Sequence, residues 1–199
     1  NFFFLFFYPA NAEIILLILT SITLLVELFL SHLLKEITWY FAQASLLIVM
    51  GVTVAQLGHA PSITFSGSYI NDDLAKLLKL VIELTVFVTF LYSRDYIETN
   101  EIPKGEFYIL GLFSTLGMMG LVSAYSLLTL YLGLELLSLP LYAMVALRRT
   151  DAKASEASLK YFVMGAIASG MLLYGMSMLY GASGTLLLDG IAEQISAHQ

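Results

Sequence analysis

Residues 127–147 read LLTLYLGLELLSLPLYAMVAL, with leucine on every side and a single acid, Glu135, near the middle. As a helix the stretch rises about 30 Å, the thickness of a bilayer's hydrocarbon core. It has no polar stripe to turn toward water, so it cannot be a surface helix of a soluble domain. Five more windows share these properties: Ala12 to Leu34, Trp39 to Leu57, Leu74 to Tyr92, Phe107 to Ala124 and Leu159 to Tyr180. Backbone groups in lipid must be satisfied within their own segment, so each window predicts a spanning helix. The expected fold is all-α, a polytopic membrane bundle of about six transmembrane helices forming one domain over 1–199.

Composition agrees with that architecture. Hydrophobic residues make up 59% of the 199 positions and charged residues 12%, and the mean hydropathy is +0.84, outside the usual range of soluble domains. The formal charge of -6 and the lack of basic clusters argue against a nucleic-acid partner. With no cysteine, the chain offers no thiolate, disulfide or cysteine-ligated iron-sulfur chemistry. His32, His59 and His198 fall in separate regions and make no metal motif. Neither a phosphate-cradling glycine loop nor a hydrolase elbow is present.

Turn chemistry separates the windows: Gly58-His59-Ala60-Pro61, then Asn100 to Gly105 with Pro103, then the tight Ser123 to Ser126. Lys35, Arg94, Lys104, Arg148, Arg149, Lys153 and Lys160 fall on the side of the odd-numbered connections. Short basic loops stay in the cytoplasm, which predicts the N-terminus outside. Trp39, Tyr40, Tyr69, Tyr92, Tyr125 and Tyr180 sit where an aromatic belt would place them. On the sixth window Gly165 with Ser169, and Ala166 with Gly170, form small faces suited to close helix packing.

An ionisable group near the bilayer centre costs about 3 kcal/mol on insertion scales and needs a partner, a cavity or a function. Glu135, Glu83 and Glu27 all lie inside windows. Pro140, five residues after Glu135, lacks an N–H and frees the Leu136 carbonyl, so a kink with a polar notch is expected there, with Ser138 or water filling it. A carboxylate beside such a notch holds a proton when desolvated and loses it when a cation approaches. The same residue also fits a static, neutral glutamate bonded across a helix interface. Glu83 has Lys79 one turn before it, which predicts an intrahelical pair. Glu27 lacks an intrahelical partner, and Lys160, read as second in the sixth window, has Glu156 four residues earlier.

Three stretches together carry a resemblance. They are Glu106 to Leu110 (EFYIL), Leu130 to Leu141 (LYLGLELLSLPL), and Glu156 to Phe162 (EASLKYF) with Ala168 to Gly175 (ASGMLLYG); Pro9, Glu13 and Lys79 add weaker matches. The chain resembles the antiporter-like, proton-pumping subunits of respiratory complex I, in particular subunit N of bacterial NADH-quinone oxidoreductase and its mitochondrial and chloroplast counterparts. That resemblance implies two inverted five-helix repeats, with a helix-five glutamate working against a lysine on a broken seventh helix. By it Glu135 takes the glutamate's place, and Lys160 matches a lysine at the start of helix six. The sequence stops before a seventh helix, so the chain is expected to be an N-terminal portion that does not pump alone. The family further implies that flavin, iron-sulfur clusters and quinone belong to partner subunits, with no cofactor here. The partners would be other membrane subunits of the complex, and the location a bacterial inner membrane. A cation/proton antiporter or membrane-bound hydrogenase subunit, and a non-conducting scaffold, remain as alternatives.

Overall fold

The computed structural model describes residues 7–30 and 37–197. The end of the first window, Lys35, His32 and His198 lie outside the described residues. A short 3-10 turn, Tyr8–Ala10, leads into α1 (Asn11–Leu30), followed by α2 (Ile37–Gln56), α3 (Asp73–Thr99), α4 (Lys104–Val122), α5 (Leu127–Val145), α6 (Ala152–Ser183) and the short α7 (Leu188–Ala197). Between α2 and α3 a hairpin pairs β1 (Ser62–Thr64) antiparallel with β2 (Tyr69–Asn71), in the register Ser62 to Asn71 and Thr64 to Tyr69. Its turn takes the left-handed conformation at Phe65, Ser66 and Gly67.

Six long helices overlap the six windows, with α3 and α6 running past theirs. Among the described residues, five are long and apolar enough to cross a membrane. The remaining one, α3, runs 27 residues and carries Lys76, Lys79 and Glu83 along its first half. Side chains start several helices: Asp72 accepts from the Ala75 amide at 2.8 Å, Ser126 from Thr129 at 3.2 Å, and Asp151 from Lys153 at 2.9 Å. Gly184, at φ 70°, stops α6 where an L-residue would be strained.

The core sits among α1 to α4. Ala12 and Leu16 of α1, Ala42, Leu46 and Val49 of α2, Phe90 of α3, and Tyr108, Leu112 and Met119 of α4 pack together away from solvent. α4 touches α1, α2, α3 and α5, so it is the axis of the bundle. Glycine allows α5 its close approach, since a Cβ at Gly117 would meet the Leu136 carbonyl carbon at 2.6 Å and overlap the Leu137 amide. α6 rests chiefly on α5 and leaves most of its surface uncovered.

The connections alternate between two ends. At one end the hairpin bridges to Ala124, between α4 and α5, and Ser126 bridges to Leu187, just before α7. Pro9 joins them there, accepting from the Tyr69 hydroxyl at 3.3 Å. The opposite end holds the basic residues: Arg94 stacks over the Trp39 ring at 4.6 Å, Lys104 pairs with Glu98 at 3.2 Å, and Arg149 with Glu106 at 3.1 Å.

Candidate functional site

Glu135 is the ninth residue of α5 and lies half-buried on the side facing α6. Ser169 on α6 donates a hydrogen bond to its Oε1. Contact between the helices is set one turn earlier, where a Cβ at Gly165 would overlap the Tyr142 hydroxyl. The Gly165 and Ser169 face therefore does pack against a helix. The neighbouring Ala166 and Gly170 face stays open, with no atom near a Cβ placed at Gly170.

The filling of the notch around Pro140 by Ser138 differs from the sequence expectation. α5 continues unbroken through the proline. Ser138 donates to the Leu134 carbonyl at 2.7 Å and leaves Leu136 alone, because a serine hydroxyl in a helix reaches its own preceding turn most easily. The polar groups near Glu135 come from neighbouring helices, Ser169 of α6 and Ser114 of α4, the latter donating to the Leu137 carbonyl at 3.3 Å.

Lys160 stands apart from this carboxyl. α6 opens at Ala152, two turns before the window's start, so Lys160 is its ninth residue and not its second. The side chain is 71% exposed and pairs with Glu156 at 2.5 Å. Nine residues separate it from Ser169, about 13.5 Å along the helix axis.

A second polar cluster lies within α1 to α3, where sequence reasoning saw only the Lys79 and Glu83 pair. Lys79 turns away from Glu83 and places its ammonium 2.7 Å from Glu13 Oε1 on α1. It also donates to the Tyr69 hydroxyl at 2.8 Å and to Asn71 Oδ1 at 3.4 Å. Tyr69 is therefore a buried member of this cluster and not part of an aromatic belt. Burial, reinforced by the Glu13 charge, pushes its phenol pKa well up, so the hydroxyl stays neutral. Glu83 contacts Thr53 of α2 at 2.7 Å instead of the lysine. Lys76, three residues before Lys79, reaches the His59 carbonyl at 2.6 Å and Asp73 at 3.1 Å at the hairpin end.

Two residues explain why the sequence reading fell short. Glu13 enters only as a weaker match in the resemblance, yet it is buried on the third position of α1, and its acidic character inside NAEIILLIL was the available signal. Glu27, without an intrahelical partner, has one on the next helix that spacing could not name: Thr38 of α2 donates to its carboxylate, which also packs on Gly105.

Comparison with known proteins places this geometry. Residues 124–199 match a family model described as NADH:quinone oxidoreductase/Mrp antiporter, TM. NADH-quinone oxidoreductase subunit N of Thioalkalivibrio sulfidiphilus is 48% identical over 95% of this chain and 39% of its own length. The Nitrosomonas europaea subunit N is 49% identical over 97% of this chain and 40% of its own. Among solved structures, a chain of respiratory complex I from Thermus thermophilus superposes with a TM-score of 0.74 at 31% identity, covering 89% of this chain and 38% of that one. A chain of an archaeal membrane-bound sulfane sulfur reductase superposes with a TM-score of 0.75 at 25% identity, over 91% of this chain and 39% of that one. The chain spans about two fifths of the length of the curated relatives it matches. It is a multi-pass membrane protein, and by sequence and fold it belongs to the subunit N family of NADH-quinone oxidoreductases.

Proposed function

We propose that this chain serves proton translocation in the membrane part of an NADH-quinone oxidoreductase, with Glu135 as the proton-carrying group of the α5 and α6 pair. The observation that carries the reading is a carboxyl group on the α5 span, held by Ser169 from the next span. A carboxyl with a hydroxyl partner between two helices has somewhere to pass a proton, whereas one facing lipid does not. Lys160 belongs to the same path at some distance, as an exposed cation nearer the basic end that shifts the local potential. NADH oxidation and quinone reduction fall to partner subunits carrying flavin and iron-sulfur clusters. Coupling to them runs through charge, each change of protonation moving the pKa of the next group.

The same proposal sets the surroundings: a bacterial inner membrane, with other membrane subunits of the complex against the open face of α6. The basic end, with Arg148, Arg149 and Lys104, faces the cytoplasm and the hairpin end faces outside. A second reading, a homologous subunit in a different respiratory membrane complex, draws on the fold shared with the sulfane sulfur reductase chain.

The test is Glu135→Gln in the full-length protein, with assembly and proton pumping both measured. Pumping should fall by about tenfold or more while assembly is retained, in line with the loss of a general acid/base group. Unchanged pumping would leave Glu135 a static bonded residue.

A further inference from the structure

We propose that Glu13, Lys79 and Glu83 form a second proton-holding site in this chain, in which one lysine cation is shared between two carboxyl groups that hold a single proton between them. The inference rests on the α1 to α3 geometry and not on Glu135. Lys79 and Glu83 are fully buried and Glu13 nearly so. Three ionisable groups in such a place must come close to electrical neutrality, because an uncompensated charge out of water costs several kcal/mol. With the lysine charged, the three groups reach neutrality when one acid is ionised and the other carries a proton.

The contacts say which acid is which. The Lys79 ammonium lies 2.7 Å from Glu13 Oε1 as an ion pair and donates to the Tyr69 hydroxyl and to Asn71 Oδ1. The lysine is therefore held charged, with Glu13 as its counter-ion. The neutral Tyr69 phenol passes its own hydrogen to the Pro9 carbonyl and supplies no negative charge. Asn71 is held in turn, donating to Gln56 Oε1 at 3.3 Å.

Glu83 is left without a cation. Its Oε1 lies 2.7 Å from the Thr53 hydroxyl, which also lies 3.1 Å from the Val49 carbonyl. One hydroxyl hydrogen cannot serve both acceptors. All are satisfied when Glu83 is protonated on Oε1 and donates to Thr53, while Thr53 donates to Val49.

Lys79 and Glu83 sit four residues apart on one face of α3, so a rotamer change brings the ammonium to the second acid. In the exchange Lys79 gives one proton to the Glu13 carboxylate and receives one from the Glu83 carboxyl. The lysine ends cationic as before, the proton has moved to Glu13, and the negative charge has moved to Glu83. Lys76 continues the same face toward the hairpin end, where its charge is matched by the exposed Asp73. Positions 76, 79 and 83 thus make a ladder about 10.5 Å long, from the aqueous end into the span. No other acid, lysine or arginine is placed in contact with these groups among the described residues.

The test is infrared spectroscopy of the full-length protein in lipid vesicles, reading the protonated-carboxyl band as wild type minus variant. Glu83→Gln should remove one such band. Glu13→Gln should remove the same band, because Glu83 then ionises as the only remaining counter-ion to Lys79. Lys79→Gln removes the cation, should leave both acids protonated, and should raise the signal from one carboxyl to two; this variant decides the matter if Glu13→Gln does not assemble. A Glu83 band that persists in Glu13→Gln, or a signal that does not grow in Lys79→Gln, would overturn the shared-proton site. Glu135→Gln should leave the Glu83 band in place, and its loss there would overturn the separateness of the two sites.

Discussion

Tyr69 shows how much one side chain in the hairpin controls. Its hydroxyl accepts from Lys79 and donates to Pro9, joining α3, the hairpin and the start of the chain. The folded protein raises its pKa above the unfolded value of about 10. The contribution to stability is therefore complete below about pH 10 and is lost as pH rises through that value, since the unfolded chain then sheds a proton the folded one keeps. Thermal unfolding in detergent should show a falling midpoint above about pH 10, and Tyr69→Phe should flatten that slope. Removing the buried cation is more severe. Lys79→Met leaves Glu13 without its counter-ion, and the expected loss is about 3–5 kcal/mol for breaking one side of a buried pair. Glu13→Gln combined with Lys79→Met should recover part of that loss, a non-additivity that denaturation of the single and double variants would measure.

Among elements, the closest meeting is α4 with α5, and it depends on Gly117 and Gly133. A Cβ at Gly133 would come within 2.9 Å of the Leu121 amide, so neither helix can back away without disturbing the other. Gly117→Val should destabilise the bundle by about 1–3 kcal/mol or more through overpacking, visible as a lower unfolding midpoint. Gly120→Ala on the same helix, with open space around its Cβ, should cost nothing and stabilise slightly. The α5 and α6 contact is narrower, resting on Gly165 against Tyr142 and on Ser169 against Glu135. Ser169→Ala should therefore weaken α6 docking and perturb Glu135 together, separating it from substitutions on the open Ala166 and Gly170 face.

At the scale of the molecule, one end is built from the hairpin, the α4 to α5 turn and the segment before α7, and the other from basic connections paired with acids. Cysteines introduced at exposed Ser66 and Thr150 should react with a membrane-impermeant maleimide from opposite sides, Ser66→Cys in intact cells and Thr150→Cys only after lysis. Labelling of both from one side would refute the alternation of helices. The outward face of α6 carries Met164, Met171 and Met178, all strongly exposed, whereas Leu112 and Leu116 are enclosed on α4.

The letters alone were enough for the membrane bundle, because lipid demands long apolar helices and their lengths are read directly from LLTLYLGLELLSLPLYAMVAL and its counterparts. Glu135 was legible for the same reason, as an acid where acids are costly. The partners of each charge were not. A helix places residue 83 near residue 79 by spacing, yet Lys79 joins Glu13, sixty-six positions away in the chain, and leaves Glu83 to Thr53. Electrostatic choice between an intrahelical and an interhelical acid depends on which carboxyl the packing of α1 against α3 brings within 3 Å, and only the tertiary arrangement decides that.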